Sequence, residues 1–448
     1  MSVVRSPVRS VVRSPVRGVL GGGVNLLGQA TSYLKGIAPY HWFDFINDRC
    51  LYASNDVGGV SGATGYSFSR ASTGYYTNAD GTLTLFASGA LRRGNRGVLI
   101  EGARTNLLLR SQEFDDAGWV AGSGGAAVVT ADATAAPDAT MTADTLNDNS
   151  AAAVRGIARS TTVANDTASH TGSVFIRAGT SGVASLRLTY SGGTSVAAEL
   201  VVRLSDGAAQ WRSGASGASF TSEVLASGWV RISATLANNG LGNTSLSFEL
   251  RPCFAGTYQN TVDATAQGTA FFWGAQLEAA SFPSSYIPTT TASATRAADV
   301  LTCTAGVSYP LSLWAEINRI GTLAFTNTAL QVDSGSNNER AILGSTAGDL
   351  ATAIQITGGS TVAAPTVAGA MALNTTYKIA SRFQANNCNV AQGGVLGTND
   401  TTCAEPAAST ALRFGSDVAG GGIFFGYLRR AAIFNSALSD ANLQTVTT

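Results

Sequence analysis

Apolar and polar residues alternate with a period of two along several stretches of this chain. The clearest stretches are residues 229–236 and 245–251. Successive side chains of a β-strand point to opposite faces, so the alternation predicts strands with one face in a core and one face in water. Residues 271–278 are more apolar and predict a central strand. Three further strands are predicted at residues 174–177, 184–190 and 198–204.

These strands recur about every 10–20 residues without helical stretches between them, which predicts a sandwich or jelly roll. A Pro, Ser, Thr and Ala-rich stretch at residues 282–298 predicts the end of this first unit. A second β unit follows, with strands predicted at 311–317, 377–383, 411–415 and 422–434 and one helical turn at 438–443 capped by Ser439. We therefore divide the chain into an arm with a Gly-rich hinge (1–30), a short β/loop adaptor (31–95), a first sandwich (96–300) and a second sandwich (301–448).

The composition agrees with an all-β class and excludes several functions. The chain of 448 residues contains 51 glycines. Charged residues make up only 12% of the chain, and the formal net charge is zero. A general nucleic-acid-binding protein would be basic overall, so no nucleic acid is expected as a partner. No stretch approaches the ~20 apolar residues of a membrane span, so no membrane insertion is expected.

Cysteine and histidine usage limits the metal and redox chemistry that can be expected. Cys388 and Cys403 flank a predicted hairpin and could pair across it, although free buried thiols are favoured for all five cysteines. His41 and His170 are the only histidines, which excludes a histidine-rich metal site. No cofactor and no metal site is predicted.

The N-terminus contains the same eight-residue unit twice, at residues 2–9 and 10–17. Prolines and valines favour an extended backbone, so the tract predicts a stiff basic arm that orders in a groove or on a sheet edge of a larger partner. A step of four residues returns to the same face of an extended chain, so the arginines could all meet carboxylates. The alternative is an ordinary disordered tail. The predicted anchoring residues are Arg5, Pro7, Arg9, Arg13, Pro15 and Arg17.

Two segments resemble known virion proteins. Residues 97–114 contain Leu-Ile-Glu-Gly-Ala-Arg-Thr-Asn-Leu, and residues 273–278 and 284–289 contain Trp-Gly-Ala-Gln-Leu-Glu and Ser-Ser-Tyr-Ile-Pro-Thr. Together they resemble the start and end of a jelly-roll domain, similar to carbohydrate-binding modules, that is frequent in tailed-phage head spike, head fibre and tail fibre proteins. Residues 413–440 resemble the last strands of a concanavalin-A-like or laminin-G-like sandwich. Some gene transfer agents carry similar spike proteins.

The resemblance implies a structural virion protein made in the bacterial host cytoplasm and mounted on the particle surface as a head spike or head fibre. The arm would dock on capsid, portal or tail proteins, and the sandwiches would project and contact host-surface polysaccharide for host attachment. Such an appendage is expected to be a homo-oligomer, as a trimer or a pentamer. A tail fibre or a baseplate receptor-binding protein is the alternative, and a polysaccharide depolymerase is less favoured.

The two sandwiches have two candidate functions, glycoside hydrolysis and sugar binding. Glycoside hydrolysis needs two carboxylates across the scissile bond. The strand glutamates Glu199, Glu249, Glu278 and Glu316 are candidates, but no pair falls in a recognisable catalytic motif. His170 follows Ser169 without a nucleophile-elbow context. We therefore predict that the chain is not an enzyme.

Sugar binding is the better-supported chemistry, because sugar-binding jelly rolls stack pyranose rings on exposed aromatic side chains. The predicted glycan-binding platforms are Tyr190, Trp211 and Tyr258. Trp211 lies just after an Asp-Gly turn between Gln210 and Arg212, a position expected to be exposed. Trp229 is expected in a core, and for each platform a core role is the alternative.

Overall fold

The computed structural model describes residues 25–225, 227–407 and 409–448 and confirms the all-β class, with two short helices in these residues. The predicted anchoring residues Arg5, Pro7, Arg9, Arg13, Pro15 and Arg17 lie outside the described residues. The first part of the described chain contains α1 Leu26–Tyr33, β1 His41–Asp44, β2 Arg49–Tyr52, β3 Asn55–Gly58, β4 Ser67–Ser69, β5 Gly74–Thr77, β6 Leu83–Phe86, β7 Arg93–Gly94, β8 Gly97–Ile100 and β9 Arg104–Asn106.

The middle part forms the first sandwich. Its elements are β10 Val120–Ala121, β11 Val128–Thr134, β12 Ala143–Asp148, β13 Ile157–Thr162, β14 Ser169–Ala178, β15 Val183–Ser191, β16 Val196–Arg203, β17 Ala209–Ser213, β18 Ser219–Val224, β19 Val230–Ala237, β20 Ser245–Arg251 and β21 Gly268–Glu278. They make two antiparallel sheets: the outer sheet, β10-β13-β20-β15-β16-β17, and the junction sheet, β11-β12-β21-β14-β19-β18.

The last part forms the second sandwich together with strands from the N-terminal part. Its elements are β22 Ala294–Arg296, β23 Val300–Thr304, β24 Leu311–Arg319, β25 Asn327–Asp333, β26 Arg340–Ser345, β27 Ala351–Thr357, β28 Ser360–Ala363, β29 Thr376–Phe383, β30 Asn389–Gln392, β31 Val395–Leu396, β32 Ala411–Phe414, β33 Gly426–Phe434 and α2 Asp440–Thr447. The helix-covered sheet is β3-β2-β1-β33-β24-β29-β30-β31 with β8 and β7 added at β33, and the groove sheet is β28-β27-β26-β25-β32-β23-β4.

The alternating pattern predicted the positions of two strands of the first sandwich to within one residue. Residues 245–251 form β20 as predicted, and the predicted strand at 229–236 is shifted by one residue in β19. One cross-strand row of the outer sheet, Ile157, Leu250, Leu186 and Leu200, is buried in the core. The polar face of β19 is not in water, however, because residues 280–284 cross over it and accept hydrogen bonds from Thr235 and Arg231.

The predicted adaptor at 31–95 is not a separate unit in the structure. Strand β1 pairs with β33, with His41 opposite Ile433, and β4 pairs with β23, with Phe68 opposite Leu301. Strands β7 and β8 extend the same sandwich. The second sandwich therefore combines residues on both sides of the first one, because the buried Trp42, Phe43 and Phe45 fill its layers.

The two helices cover the outer face of the helix-covered sheet. Helix α1 begins after Asn25, whose side chain accepts a hydrogen bond from the Gly28 N–H. Helix α2 begins after Ser439, as predicted, but extends to Thr447 rather than making a single turn. Both helices pack on the buried Trp314 of β24. Neither of the described helices is long and apolar enough to cross a lipid bilayer.

All five cysteines lie in the described residues, where they are buried and form no disulfide. Cys388 and Cys403 are near each other, and the Cys403 sulfur donates to the Gln384 carbonyl oxygen at 3.2 Å. Burial raises the pKa of the Cys388 thiol above its usual range. The structure therefore keeps Cys388 and Cys403 as free thiols within the second sandwich, which agrees with the favoured alternative.

His41 is expected to make the second sandwich less stable in mild acid. It is fully buried, with Nε2 2.8 Å from the Ala305 carbonyl and Nδ1 3.1 Å from the Ala53 nitrogen, and burial lowers its pKa to about 4. The unfolded chain then binds the proton more tightly than the folded chain, so stability falls as the pH drops from about 6.5 to about 4, by up to about 3 kcal/mol.

The measurement is the free energy of unfolding of the wild type and of a His41→Gln variant between pH 7 and pH 4. Asp144, whose pKa burial raises to about 6, acts in the opposite direction over the same range and is present in both proteins. The difference between the two proteins therefore isolates His41. Parallel pH profiles would contradict the prediction.

Candidate functional site

The motifs that carry the resemblance meet at the junction of the two sandwiches. Glu101 accepts hydrogen bonds from the Ser285 backbone N–H at 2.8 Å and from the Ser285 hydroxyl at 2.6 Å, and it pairs with Arg92 at 2.7 Å. Asn106 donates to the Ile287 carbonyl at 2.9 Å and accepts from the Leu277 N–H at 3.0 Å. These residues join the start and the end of the first sandwich and leave little of either motif free for a ligand.

The centre of this junction is a buried ion cluster, which we define as Arg70, Arg92, Glu101, Arg296 and Asp299. All five side chains are at most 1% exposed. Burial alone would raise the pKa of Glu101, but Arg296, Arg92 and the hydrogen bonds from Ser285 overcome it and lower the pKa to about 2. The carboxylate is therefore ionised at neutral pH, and it serves to hold the junction together.

The four strand glutamates are brought together only in part. Glu199 and Glu249 lie in one cross-strand row of the outer sheet, and Arg251 bridges them at 2.8 and 3.0 Å. Glu316 lies on the helix-covered sheet, 2.7 Å from Arg430. Each of these three carboxylates is thus held by an arginine of its own sheet. The absence of enzymatic activity stays a prediction.

Glu278 is buried in the junction and is satisfied by neighbouring groups. It accepts hydrogen bonds from the Ser284 N–H at 2.9 Å, the Ser284 hydroxyl at 2.6 Å and the Gln276 amide at 2.7 Å. Burial raises its pKa above the ordinary value. The other three strand glutamates lie in other sheets. Glu278 therefore contributes to the junction rather than to a pair of catalytic carboxylates.

Tyr190 is not a sugar platform, because it is fully buried in the core of the first sandwich. Its hydroxyl lies 2.8 Å from His170 Nδ1 and donates to the Leu236 carbonyl at 3.1 Å. Tyr190 is buried because it occupies an inward-facing position of β15, like Leu186 and Leu188 of the same strand. Trp229 is buried, as expected.

Trp211 and Tyr258 are half-buried and are packed against their own domain. Trp211 packs against the core as the last member of the inward row that contains Leu200. Its ring meets the Phe220 ring edge-on, with the ring centroids 5.4 Å apart. The Tyr258 ring lies under the Arg203 guanidinium at 4.9 Å. The two residues lie on different parts of the sandwich, so no shared aromatic platform results.

A groove of about 280 Å³ lies on the outer face of the groove sheet. Ile342 of β26 and Ile354 of β27, which are direct cross-strand partners, line it together with Ile356. Phe325, in the loop between β24 and β25, stands at its edge with 53% of its surface exposed. We call this the sheet groove: an apolar surface with one aromatic ring open to solvent.

Polar groups line the sheet groove beside its apolar surface. Arg340 Nη1 lies 2.8 Å from Asn337 Oδ1 and 3.5 Å from Asp417 Oδ2. In the described part of the chain the Arg340 Nε is buried without a partner. Gly422 completes the rim with a φ of +56°, and a Cβ there would lie 2.9 Å from Thr328 Oγ1, so the turn can approach β25 only with glycine. A guanidinium, a carboxylate and hydroxyls are thus placed next to apolar side chains.

Sequence reasoning missed this groove because β27 places its larger apolar side chains on the outer face and its smaller ones on the core face, the reverse of the usual arrangement. Ala351 and Ala353 face the core, whereas Ile354 and Ile356 face the groove. Taken alone, the sequence assigns the larger apolar side chains to the core. One sequence signal could have indicated the groove: in β27 the small residues occupy the alternate positions that face the core, and the large apolar residues occupy the positions between them.

No metal centre accompanies the groove in residues 25–225, 227–407 and 409–448: no three His, Cys, Asp or Glu side chains lie close enough together there to hold an ion. The predicted absence of a cofactor stays a prediction.

No protein-family model and no curated protein sequence matches the chain. Among solved structures it is similar to the CBM40 domain of the Ruminococcus gnavus IT-sialidase, with 15% identity and a TM-score of 0.27 over 31% of this chain and 83% of that chain. It is also similar to Domain 4 of AbnA, a GH43 extracellular arabinanase from Geobacillus stearothermophilus in complex with arabinotriose, with 11% identity and a TM-score of 0.28 over 37% of this chain and 81% of that chain.

A third similar structure is the heptameric SAP-like pentraxin from Limulus polyphemus, with 11% identity and a TM-score of 0.25 over 31% of this chain and 70% of that chain. The CBM40 domain was also solved bound to α2,3-sialyllactose. Carbohydrate-binding domains are thus among the neighbours of this β-sandwich protein. At these scores the comparisons add nothing on function, and the site has to be argued from its own geometry.

Proposed function

We propose that this chain is a structural appendage protein of a phage or phage-like particle, a head spike or fibre, that attaches by its N-terminal arm and binds cell-surface glycan through the sheet groove. One observation carries the proposal: helix α1, with which the described chain begins, and the sheet groove lie on opposite faces of the second sandwich. The tail fibre or baseplate location remains the alternative. Arginine pairing of Glu199 and Glu249 makes a depolymerase the less favoured function.

The position of α1 supports this arrangement. Leu26 and Ala30 of α1 pack on Trp42 and Trp314, on the outer face of the helix-covered sheet. The core of the second sandwich separates this sheet from the groove sheet. The basic repeats precede α1 in sequence, and a partner that holds the arm next to α1 would meet the side away from the sheet groove. An attached protein would then present the groove outward.

The chemistry of the sheet groove suits a sugar ring. An apolar sugar face packs well on an exposed aromatic ring and on aliphatic side chains, while hydroxyls need a few planar polar groups at fixed positions. Phe325 and Ile354 supply the first kind of surface. Arg340 and Asp417 supply the second kind, and the hydrogen bond from Arg340 to Asn337 at 2.8 Å orients the guanidinium before a ligand arrives.

We expect a Phe325→Ala variant to bind glycan about tenfold more weakly than the wild type, because loss of aromatic contact area costs on the order of 1.5 kcal/mol. Its melting temperature should not change, since Phe325 is largely exposed. Residues 25–448 would be screened on an array of bacterial surface polysaccharides, and the affinity for the best ligand would be measured by calorimetry.

Phe220→Ala is the matched control for this experiment. Phe220 is also a partly exposed aromatic residue, with 39% of its surface exposed, but it lies on the edge strand β18 of the first sandwich. Equal affinities of Phe325→Ala and the wild type for the same ligand would rule out the sheet groove as the binding site.

Deletion of residues 2–17 is expected to abolish incorporation of the protein into particles while leaving the melting temperature unchanged. The physical reason is that the arm carries the repeated arginines, whereas the core residues of both sandwiches lie within residues 25–448. Incorporation is measured by immunoblot of purified particles. A variant with Arg5, Arg9, Arg13 and Arg17 replaced by Gln keeps the length and should show the same defect.

Normal incorporation of the deleted chain would contradict the anchor. Electron microscopy of particles labelled with an antibody against residues 300–448 then separates the locations. Label around the head supports a head spike or fibre, whereas label confined to the tail supports the alternative. Homo-oligomerisation as a trimer or a pentamer stays a prediction, to be measured by light scattering of the purified chain.

A further inference from the structure

A second cavity lies between the two sandwiches, away from the sheet groove. It has a volume of about 70 Å³, enough for two waters or one small anion. The first sandwich contributes Glu223, Arg231 and Pro283, and the second contributes Arg96, Asn374 and Tyr427. We call it the junction cleft. A ligand in it would touch both sandwiches at once.

Arg231 is the most unusual side chain in the junction cleft. Its Nη2 donates to the Ser284 carbonyl at 2.7 Å and to the Ser173 hydroxyl at 3.2 Å. Its Nε is buried and has no hydrogen-bond partner among the described residues. Burial lowers its pKa, although Glu278 and Glu223 act from a distance to raise it. Neither carboxylate forms an ion pair with Arg231 in the described part of the chain.

Arg96 faces the same cleft from the second sandwich. Its guanidinium lies over the Tyr427 ring at 4.3 Å from the centroid, which fixes its plane. Its carboxylate contact is long: Nη1 lies 3.6 Å from Glu223 Oε1. The Glu223 side chain is 53% exposed, so this ion pair is weak and Glu223 can turn toward solvent.

The charges in the junction cleft do not balance. Two guanidinium groups and one half-exposed carboxylate line it, which leaves one positive charge in excess. Both arginines are partly buried, and a partly buried cation that lacks a close counter-ion gains from a bound anion. Guanidinium groups also present planar pairs of N–H donors that match the oxygens of carboxylate and phosphate groups.

We propose that the junction cleft binds a small oxyanion, a carboxylate or a phosphate group, between Arg96 and Arg231. Because these residues belong to different sandwiches, the anion would stabilise their relative orientation. The proposal is independent of the sheet groove and of the particle location. Glu223 competes with the ligand for Arg96, so it limits affinity rather than contributing to binding.

The test uses the full chain with sodium acetate, sodium glucuronate and sodium phosphate as probes, at an ionic strength held constant with sodium chloride. We expect calorimetry to show saturable millimolar binding of at least one probe and a matching rise in melting temperature. Glu223→Gln should tighten that binding about fivefold to tenfold, since it removes the competing carboxylate. Arg96→Gln should weaken it at least tenfold.

Arg155→Gln is the matched control, because Arg155 is also an arginine whose Nε has no partner among the described residues, but it lies on the first sandwich outside the cleft. It should bind like the wild type. Preference for acetate and glucuronate would assign the site to carboxylates, and preference for phosphate would assign it to phosphoryl groups. The proposal is overturned if no probe saturates with wild type or Glu223→Gln, or if Arg96→Gln binds as the wild type does.

Discussion

A chain that begins at residue 96 is expected to lose the cooperative folding of the second sandwich. The deletion removes β1 to β3, which lie beside β33 in the helix-covered sheet. It also removes Trp42, Phe43 and Phe45, each at most 3% exposed. An aromatic side chain buries roughly 150–250 Å², which corresponds to about 4–6 kcal/mol as an upper estimate. Three such losses, about 12–18 kcal/mol together, are as large as the whole ~5–15 kcal/mol that keeps a domain folded.

The expected result is that residues 96–448 lose the thermal transition of the second sandwich, measured by calorimetry and near-ultraviolet circular dichroism. Residues 25–448 are the control and should melt like the full chain. If residues 96–448 kept every transition of the control, the pairing of β1 with β33 would not be needed for stability. The same reasoning excludes a chain starting at residue 96 from any glycan-binding test.

Glu101→Gln is expected to destabilise the junction by about 3–5 kcal/mol, the usual cost of removing one partner from a buried ion pair. Gln keeps the volume of Glu, so no cavity contributes. The change leaves Arg92 and Arg296 with Asp299 as the remaining carboxylate of the ion cluster. Urea unfolding at pH 7, followed by tryptophan fluorescence, measures the loss as a lower midpoint.

Asp206→Asn is the control for Glu101→Gln, because Asp206 pairs with Arg203 on the surface, where both side chains are more than 40% exposed. Exposed pairs of this kind contribute little to stability, so its midpoint should match that of the wild type. Equal midpoints for all three proteins would mean that the ion cluster does not hold the junction. Unfolding at acidic pH gives a second measurement. Because the pKa of Glu101 in the folded protein is about 2, its contribution to the free energy of unfolding is lost as the pH falls from about 4.5 toward 2.

The motifs with the strongest resemblance serve the architecture of the chain. Glu101, Asn106 and Glu278 stand in the strings that resemble phage spike and fibre proteins, and each is buried and hydrogen-bonded within the junction. A resemblance based on such residues supports the domain type. None of these three residues lines the sheet groove.

The candidate site shows how sequence reasoning fails for single residues. Tyr190 was predicted as a platform from its residue type, but the period of its strand points it into the core. Phe325 lies in an irregular loop, where no periodicity indicates exposure. The apolar surface beside Phe325 depends on Ile354 and Ile356 facing away from the core, and only the packing of Ala351 and Ala353 inside the sandwich produces that orientation.

The amino-acid sequence alone determined the all-β class and the strands β19 and β20, because alternation and turn residues act between near neighbours. Only the tertiary structure decided which strands pair across long separations, such as His41 with Ile433, and which face of each sheet is covered. Those choices depend on the total burial of distant segments. For that reason the N-terminal strands became part of the second sandwich, and the groove appeared on a face that local patterns assign to the interior.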